Sequence, residues 1–298
     1  MYIIDGKQLA QEVKNQVKAK LKTYLETDGE GRVREAPRLA MIVVGNNPAS
    51  TTYICNKKKA LDELGFYYSE FSFDESVETH EILNQINSLN RNHCYDGIFV
   101  QLPLPAHLKE DEILNAIEPE KDVDGFHHTN KEALRVGKVT NRHHHIPCTV
   151  LGCHTLINHA ASHLNWGGIE GTHVVIIGRS EIVGKPLAQL LSHHNCTVTV
   201  CHSKTSPETL KAVCQQADVI VSAVGKPKLV TVDMVKKGAI VIDVGINFIE
   251  FDGKRQMVGD VDFEEVKEIA GAITPVPGGV GQMTVAFLMS NLLNAYLK

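Results

Sequence analysis

Apolar positions recur at helical spacing from the start of the chain. Leu9, Val13, Val17, Leu21 and Leu25 stand four apart with lysines between them, which predicts an amphipathic helix. The polar run TDGEGRVREAP (27–37) predicts a loop and LAMIVVG (39–45) a short apolar strand. A second helix is expected from about Pro48 to Leu64, with Asn47 as N-cap, Pro48 at the first helical position and Gly65 as its left-handed stop. DGIFVQLPLP (96–105) reads as a strand ending in a Pro-rich loop, and a short helix leads from it to KDVDGF (121–126). The pattern changes near residue 150. From Thr172 the chain reads VVIIG, TVTVCHS, DVIVSAVG (218–225) and AIVIDVG (239–245), short apolar runs separated by helical stretches. That is the pattern of a parallel sheet covered on both faces. A last helix covers 283–297 and is expected to fold back on the first domain. The expected fold class is α/β in two domains, divided near 148–150, with no repeat of fixed period.

Composition supports this picture and removes several function classes. A chain of 298 residues is long enough for two cores at roughly 150 residues per domain. Thirty basic against 35 acidic residues give a net charge of −5, which excludes a strongly basic nucleic-acid surface. Seven cysteines without a C-x-x-C pair read as reduced thiols in a reducing compartment. The N-terminus, MYIIDGKQLA, lacks the form of a signal peptide. Residues 271–297 are uncharged, but Pro275, Pro277 and four glycines leave a helix of about 15 residues against the roughly 20 needed to span a bilayer. A buried helix after a Gly/Pro loop is the expectation, with no membrane partner.

Gly178-Arg179-Ser180-Glu181-Ile182-Val183-Gly184 follows the first strand of the second half and opens a helix. A glycine turn there lets free helix N–H groups face a pyrophosphate. The spacing is G-x-S-x-x-x-G instead of G-x-G-x-x-G, which by itself fits a nucleotide site and a plain tight turn equally well. An NAD unit presents a carboxylate to the ribose about 20 residues further on. Here the next strand ends in His202-Ser203-Lys204. With Arg179 in the neighbouring loop, a hydroxyl and two cations suit the 2′-phosphate of NADP; the bland reading is solvated loop charge.

Lys57, Lys58 and Lys59 follow one another on the second helix. At about 100° per residue, Lys57 falls about 40° from Tyr53 within a stripe shared with Ala60, Leu61 and Leu64, while Lys58 and Lys59 fall about 140° and 240° away. A half-buried ammonium loses solvation, and its pKa drops toward acid–base usefulness. Beside it a phenol can hold a flat substrate and relay a proton. The alternative is a Lys57 that reaches past the stripe into water. In KDVDGF, Asp122 and Asp124 could ligate a divalent cation, or one could accept paired N–H donors from a pterin-type ring, or both could form an ordinary Asx turn. Lys121 is expected to pair with Asp122, leaving Asp124 for a ligand.

ASTTYICNKKKA, VQLPLP, EPEKDVDGF, IPCT, VVIIGRSEIVGKP, TVCHSKT, GAIVIDVGIN, VGDVDF and ITPVPGGVGQMTVAFL occur in this order over nearly the whole chain. In this the sequence resembles the bifunctional methylenetetrahydrofolate dehydrogenase/methenyltetrahydrofolate cyclohydrolase family, of the stand-alone bacterial type. The resemblance implies an N-terminal α/β folate-binding catalytic domain (1–148 plus 283–298), a Rossmann-type NADP-binding domain (149–282) and a C-terminal helix returning to the first domain. It implies NADP-dependent oxidation of 5,10-methylenetetrahydrofolate to the 5,10-methenyl cation, then hydrolysis to 10-formyltetrahydrofolate. It also implies a cytoplasmic homodimer acting on folates, polyglutamylated forms included, and serving purine, methionine and histidine biosynthesis.

Carried over by motif, the catalytic set is Lys57, Tyr53, Gln101 and Asp124. Folate contacts fall to Ser50, Tyr53, Leu102, Pro103, Asp124, Pro277, Gly278 and Gly279. Cofactor contacts fall to Cys148, Thr149, Gly178, Arg179, Ser180, Val183, Ser203, Ile246 and Thr284. Three departures stand out. Gln282 replaces the frequent proline of VGPMT, an expectation of a looser loop before the last helix. Val150 replaces the proline after PCT, and Arg142-His143-His144-His145 precedes IPCT. The histidines invite a zinc hypothesis, but adjacent histidines diverge and lack a C-x-x-C or H-x-x-x-H partner, so a solvated loop and no metal are expected. Cys148 reads as a small lining residue, and Asp243 and Asp260 as strand-end structure. The competing functions are a dehydrogenase with little cyclohydrolase activity and a non-catalytic NADP or folate sensor; a positioned lysine has no use in the latter.

Overall fold

The computed structural model describes residues 1–28, 36–46, 48–140, 143–251 and 254–298, with 28, 48–50, 251 and 254 described by backbone alone. The chain runs β1 (Tyr2–Ile3), α1 (Gly6–Asp28), β2 (Arg38–Val44), α2 (Pro48–Leu64), β3 (Tyr67–Phe73), α3 (Thr79–Arg91), β4 (Gly97–Val100), α4 (Glu110–Asn115), α5 (His128–Arg135) and α6 (Cys148–His163). It continues with β5 (His173–Ile177), α7 (Gly184–His193), β6 (Thr197–Cys201), α8 (Pro207–Cys214), β7 (Val219–Ser222), β8 (Ile240–Asp243), β9 (Asn247–Phe251), β10 (Lys254–Val258), α9 (Phe263–Val266), β11 (Ala272–Ile273) and α10 (Val280–Tyr296).

Two compact units result. Gln11–Cys148 with Val285–Lys298 form one, around the parallel sheet β3-β2-β4. Side chains alternate across β2, so one face packs Leu39 and Met41 with Leu61, Leu64 and Phe99 and with Leu288, Met289, Leu292 and Leu293 of α10. The other face packs Ala40 and Ile42 with Ile82, Ile86 and Leu89 of α3 and with Ile98 and Val100. Met1–Ala10 with Thr149–Thr284 form the second unit, a six-stranded parallel sheet in the order β1-β11-β8-β7-β5-β6. Strand order reverses at β5, whose neighbours β6 and β7 follow it in sequence on opposite sides. This is the switch point where α/β sheets open a crevice beyond their strand ends.

The bounds of these units differ from those expected from the sequence, which kept residues 1–10 with the N-terminal domain and residues 283–284 with the last helix. β1 instead adds to β11, Tyr2 N–H donating to Gly271 O (2.8 Å) and Ile4 N–H to Ile273 O (2.8 Å). Gly6 then lies so close to the 278–279 turn that a Cβ would stand 2.4 Å from Gly279 O. The strand expected over 96–105 stops at Val100, and the chain enters its loop with a cis Leu102–Pro103 peptide. The last helix begins at Val280, earlier than expected. Gln282 does not loosen that start: it lies in the first turn, and its N–H donates to Gly279 O (3.2 Å), a bond proline could not make. Val150 is buried in the first turn of α6. Asn47 and most of the polar run after α1 lie outside the described residues. Among the described residues, no helix is long and apolar enough to cross a membrane.

Candidate active site

In the three-stranded unit, α2 and the end of β4 bring one amine under unusual control. Lys57 is 6% exposed, whereas Lys58 is half-buried and ion-paired with Glu70 (2.7 Å) and Lys59 is exposed. The three neighbours therefore part as the helical wheel divides them. Lys57 Nζ donates to Gln101 Oε1 at 3.1 Å and stands 3.6 Å from the centroid of the Phe99 ring. Gln101 is oriented in turn by its own amide donating to Leu102 O. Burial lowers the Lys57 pKa to about 8, against the opposing pull of Asp124 and Cys148. Tyr53, one turn earlier on the helix, is half-buried, and burial raises its phenol. Phe99 was missed by sequence reasoning. Its position two before Gln101 on one strand was the available signal, because residues i and i+2 share a face.

The loop after α4 contributes two aspartates of different kinds. Asp122 is 1% exposed, and its oxygens accept from Gly125 N–H (3.1 Å), His127 N–H (2.7 Å) and the Asn130 amide (2.9 Å). It closes a turn. Lys121 does not leave Asp124 free in the way expected: its ammonium donates to Leu89 O, Asn90 O and Asn92 O (3.1, 2.7 and 3.1 Å), at the C-terminal end of α3. Asp124 is left over because backbone groups saturate its neighbour. Burial pushes the Asp124 carboxyl up to about 6, against the pull of Lys57. Gly125 has φ +76°, and a Cβ there would meet His145 O and Pro147 N at 2.7 Å, so the turn requires glycine.

Cys148 was expected at the cofactor. The structure places it in the unit of Asp124, 1% exposed, with its thiol donating to Val123 O (3.3 Å) and held well above its ordinary pKa by burial. A buried neutral thiol is no nucleophile. The histidine run corrects another expectation. His143 pairs with Glu120 (2.8 Å), but His145 is 2% exposed and bonded to Glu120 O (3.1 Å), so it belongs to the packed interior and not to a solvated loop. Among the described residues no group of three or more His, Cys, Asp or Glu side chains is placed to hold a metal ion. Arg142 and the side chain of Ser50 lie outside what is described. Leu102 is half-buried and Pro103 exposed.

In the six-stranded unit, the loop after β5 occupies the switch point. Gly178 has φ +123°, and a Cβ on it would collide with Ala223 O at 2.4 Å; one on Gly184 would meet Gly178 O at 2.2 Å. Only glycines allow so tight a strand–turn–helix passage. The helix N–H groups are not all free, as the sequence suggested: Val183 and Gly184 donate to Ser180 Oγ (3.2 and 3.4 Å). Arg179, Ser180, Ser203 and Lys204 are exposed, a cationic and hydroxyl set with the chemistry of a phosphate site. Thr149 and Thr284, both expected at the cofactor, share a hydrogen bond (3.1 Å), and Ile246 is exposed. Pro277 is exposed, Gly278 half-buried and Gly279 buried, in a turn with a cis Val276–Pro277 peptide. Asp260, 0% exposed, holds the loop after β7: it accepts from Ser222 Oγ, three successive N–H groups of Val224, Gly225 and Lys226, and the Asn247 amide, at 2.8–3.2 Å.

A doubly wound sheet with a phosphate-suited glycine turn, in one chain with an α/β unit that buries a lysine, defines a two-domain NAD(P)-dependent dehydrogenase. Residues 4–124 match the family model for the tetrahydrofolate dehydrogenase/cyclohydrolase catalytic domain, and residues 147–298 that for its NAD(P)-binding domain. The chain belongs to the tetrahydrofolate dehydrogenase/cyclohydrolase family. It is 48% identical over 292 residues to the bifunctional protein FolD of Cereibacter sphaeroides, covering 98% of this chain and 93% of that one. The crystal structure of bifunctional FolD from Campylobacter jejuni superimposes with a TM-score of 0.88 at 43% identity, covering 99% of this chain and 98% of that one. The Trypanosoma brucei enzyme, solved with NADP and an inhibitor, superimposes with a TM-score of 0.89 at 32% identity over 99% and 96% of the two chains.

Proposed function

We propose that Lys57, Gln101, Tyr53 and Asp124 carry the two reactions of this family in this chain. The protein is a bifunctional folate one-carbon enzyme: it oxidises 5,10-methylenetetrahydrofolate to the 5,10-methenyl form with NADP and hydrolyses that product to 10-formyltetrahydrofolate. The observation that carries the assignment of residues is the buried Lys57 ammonium, bonded to Gln101 and lowered to about 8.

Bound NADP supplies the hydride acceptor of the first reaction. The chain's own work there is placement, because the folate bridging carbon must stand about 3–3.5 Å from that acceptor. Asp124 takes two N–H donors of the pterin ring, and Tyr53 stacks on the flat substrate. Oxidation needs no base, since two flanking nitrogens stabilise the cation formed, and a second positive charge nearby opposes it. Gln101 therefore holds the lysine nitrogen away from the bridge. In the hydrolysis, water attacks the methenyl carbon; neutral Lys57 accepts a proton from the water or its adduct and returns it to the leaving nitrogen. Leu102, Pro103 and Ser50 are folate contacts of the three-stranded unit, and Pro277, Gly278 and Gly279 are folate contacts of the six-stranded unit. Gly178, Arg179, Ser180, Val183 and Ser203 hold the adenosine phosphates, and Ile246, Thr149 and Thr284 the nicotinamide end. Support for a cytoplasmic setting comes from seven free thiols, and for a homodimer acting on polyglutamylated folates from the family resemblance.

A spectrophotometric assay with methylenetetrahydrofolate and either NADP or NAD tests this. Turnover with NADP and no build-up of methenyl absorbance is expected. Stoichiometric methenyl accumulation selects the dehydrogenase-only reading, and no turnover with either cofactor sinks the assignment.

A further inference from the structure

The C-terminal half of α10 packs into the core of the three-stranded unit through Leu288, Met289, Leu292 and Leu293. One polar side chain interrupts that apolar face: Asn291, 3% exposed. A buried carboxamide needs partners, and Asn291 finds them on two loops far from it in sequence. Its Nδ2 donates to Val123 O at 2.9 Å and to Ile146 O at 3.0 Å, and stands 3.5 Å from Cys148 Sγ.

Val123 O belongs to the peptide unit whose nitrogen is that of Asp124. A peptide unit is planar. Two donors converging on its oxygen, the Asn291 amide and the Cys148 thiol at 3.3 Å, therefore fix the plane from which the Asp124 Cα departs. The apolar side of Val123 is gripped as well. A Cβ on Gly97 would stand 2.5 Å from Val123 Cγ1 and 2.9 Å from Leu292 Cδ1, so β4 and α10 close on the same residue. Asp122 is oriented through its own oxygens. Asp124 has the Cys148 thiol as a side-chain hydrogen-bond partner, which leaves oxygen lone pairs for a ligand and gives the backbone a share in setting its orientation.

We infer that Asn291 is the positioning residue for Asp124, an amide on the C-terminal helix that sets the carboxylate facing the substrate. The inference rests on the reading of Asp124 as the pterin-holding group. Asn291 touches no substrate. Its effect passes through the 123–124 peptide, and it reaches folate binding without touching the six-stranded unit's cofactor loops.

The test compares full-length Asn291→Ala, Asn291→Ser and Asp124→Asn by KM for methylenetetrahydrofolate, by NADPH affinity from fluorescence titration and by active-site-normalised kcat. Asn291→Ala is expected to raise the folate KM roughly ten- to a hundredfold, the scale of a displaced binding group, with NADPH affinity within twofold. Asn291→Ser keeps a donor and falls between; it also decides the matter should the alanine variant not fold. A purely structural asparagine would lower the folded fraction and leave both affinities unchanged, which overturns the inference. Asp124→Asn separates the two failures. If it leaves folate KM unchanged, the reading of Asp124 falls and the inference with it. If it raises folate KM while neither Asn291 variant does, only the positioning role is lost.

Discussion

Buried Asp122 and half-buried Asp124 in one unit, and buried Asp243 and Asp260 in the other, differ in who uses their oxygens. In the six-stranded unit, Asp243 accepts from the N–H groups of Gly245, Asp260 and Val261, each at 2.9 Å, and Asp260 accepts from five donors. Both oxygens of each carboxylate are engaged in holding loops. In the three-stranded unit Asp122 is of this kind; burial raises Asp122, Asp243 and Asp124 alike, and what sets Asp124 apart is that it faces a lysine and a thiol instead of backbone N–H groups. A carboxylate consumed by backbone N–H groups is scaffold. One answered by an ammonium and a thiol, with no backbone N–H group among its partners, is available to a ligand. Sequence cannot make this distinction, because the D-V-D of 122–124 and that of 260–262 look alike until donors are assigned.

Removing the ammonium is expected to have the largest effect. Lys57→Met should lower methenyl hydrolysis by about 10²–10⁴, the range for a lost general acid–base group, measured as decay of methenyl absorbance. The same substitution should raise Tm. A buried amine whose pKa drops from near 10.5 to about 8 opposes folding. That opposition is fully present below pH 8 and fades only toward the pKa of free lysine, and its size is on the order of 3 kcal/mol. Undiminished hydrolysis would remove Lys57 from the mechanism.

Swapping the aspartates tests the contrast directly. Asp124→Asn should weaken folate binding roughly tenfold or more and leave Tm and NADPH affinity nearly unchanged, since the lost carboxylate bonds are charge-assisted, about 1.5–3 kcal/mol each. Asp260→Asn should do the reverse. It puts an amide among five donors, so Tm falls and NADPH affinity drops several-fold, while folate KM stays. If both variants shift the same parameter, the division into scaffold and ligand carboxylates fails.

Arg179→Ala is a smaller perturbation at an exposed side chain. Loss of one charge-assisted contact to the 2′-phosphate should cut the preference for NADP over NAD by roughly 10- to 100-fold, read as a ratio of kcat/KM values. An unchanged ratio would return Arg179 to solvated loop charge and leave discrimination to Ser203 and Lys204.

What could be read in advance was local. α2 runs from Pro48 to Leu64 as its punctuation predicts, and the wheel separates Lys57 from its neighbours because a helix has one period throughout. β5, β6, β7 and β8 announce themselves as buried apolar runs. β1 could not be read: two residues become a strand only because Ala272–Ile273 waits for them. β3 is an edge strand, YYSEFSF, with no fully buried residue, and β9 and β10 form a separate hairpin, so none of them shows a buried run. At the site, Lys57 and Gln101 were legible, whereas the destination of the Cys148 thiol depends on contacts with Val123 and Asn291 that no spacing encodes.

The pH dependence gives the finest test, because it asks whether Lys57 and Asp124 sense each other. Asp124 must be ionised to accept two N–H donors, so kcat/KM for folate should fall as pH drops below about 6. Hydrolysis needs a neutral Lys57, so its rate should rise with pH toward a plateau above about 8. The ionised Asp124 raises the Lys57 pKa and the Lys57 ammonium lowers that of Asp124. In Asp124→Asn the acid limb should vanish and the alkaline limb should move below 8, because the stabilising carboxylate is gone and only the smaller pull of Cys148 still opposes burial. Asp122→Asn, by contrast, removes a carboxylate that is bonded to backbone and should leave the shape of the alkaline limb nearly unchanged. An alkaline limb unmoved in Asp124→Asn would mean that the rise in hydrolysis reports some group other than the buried lysine.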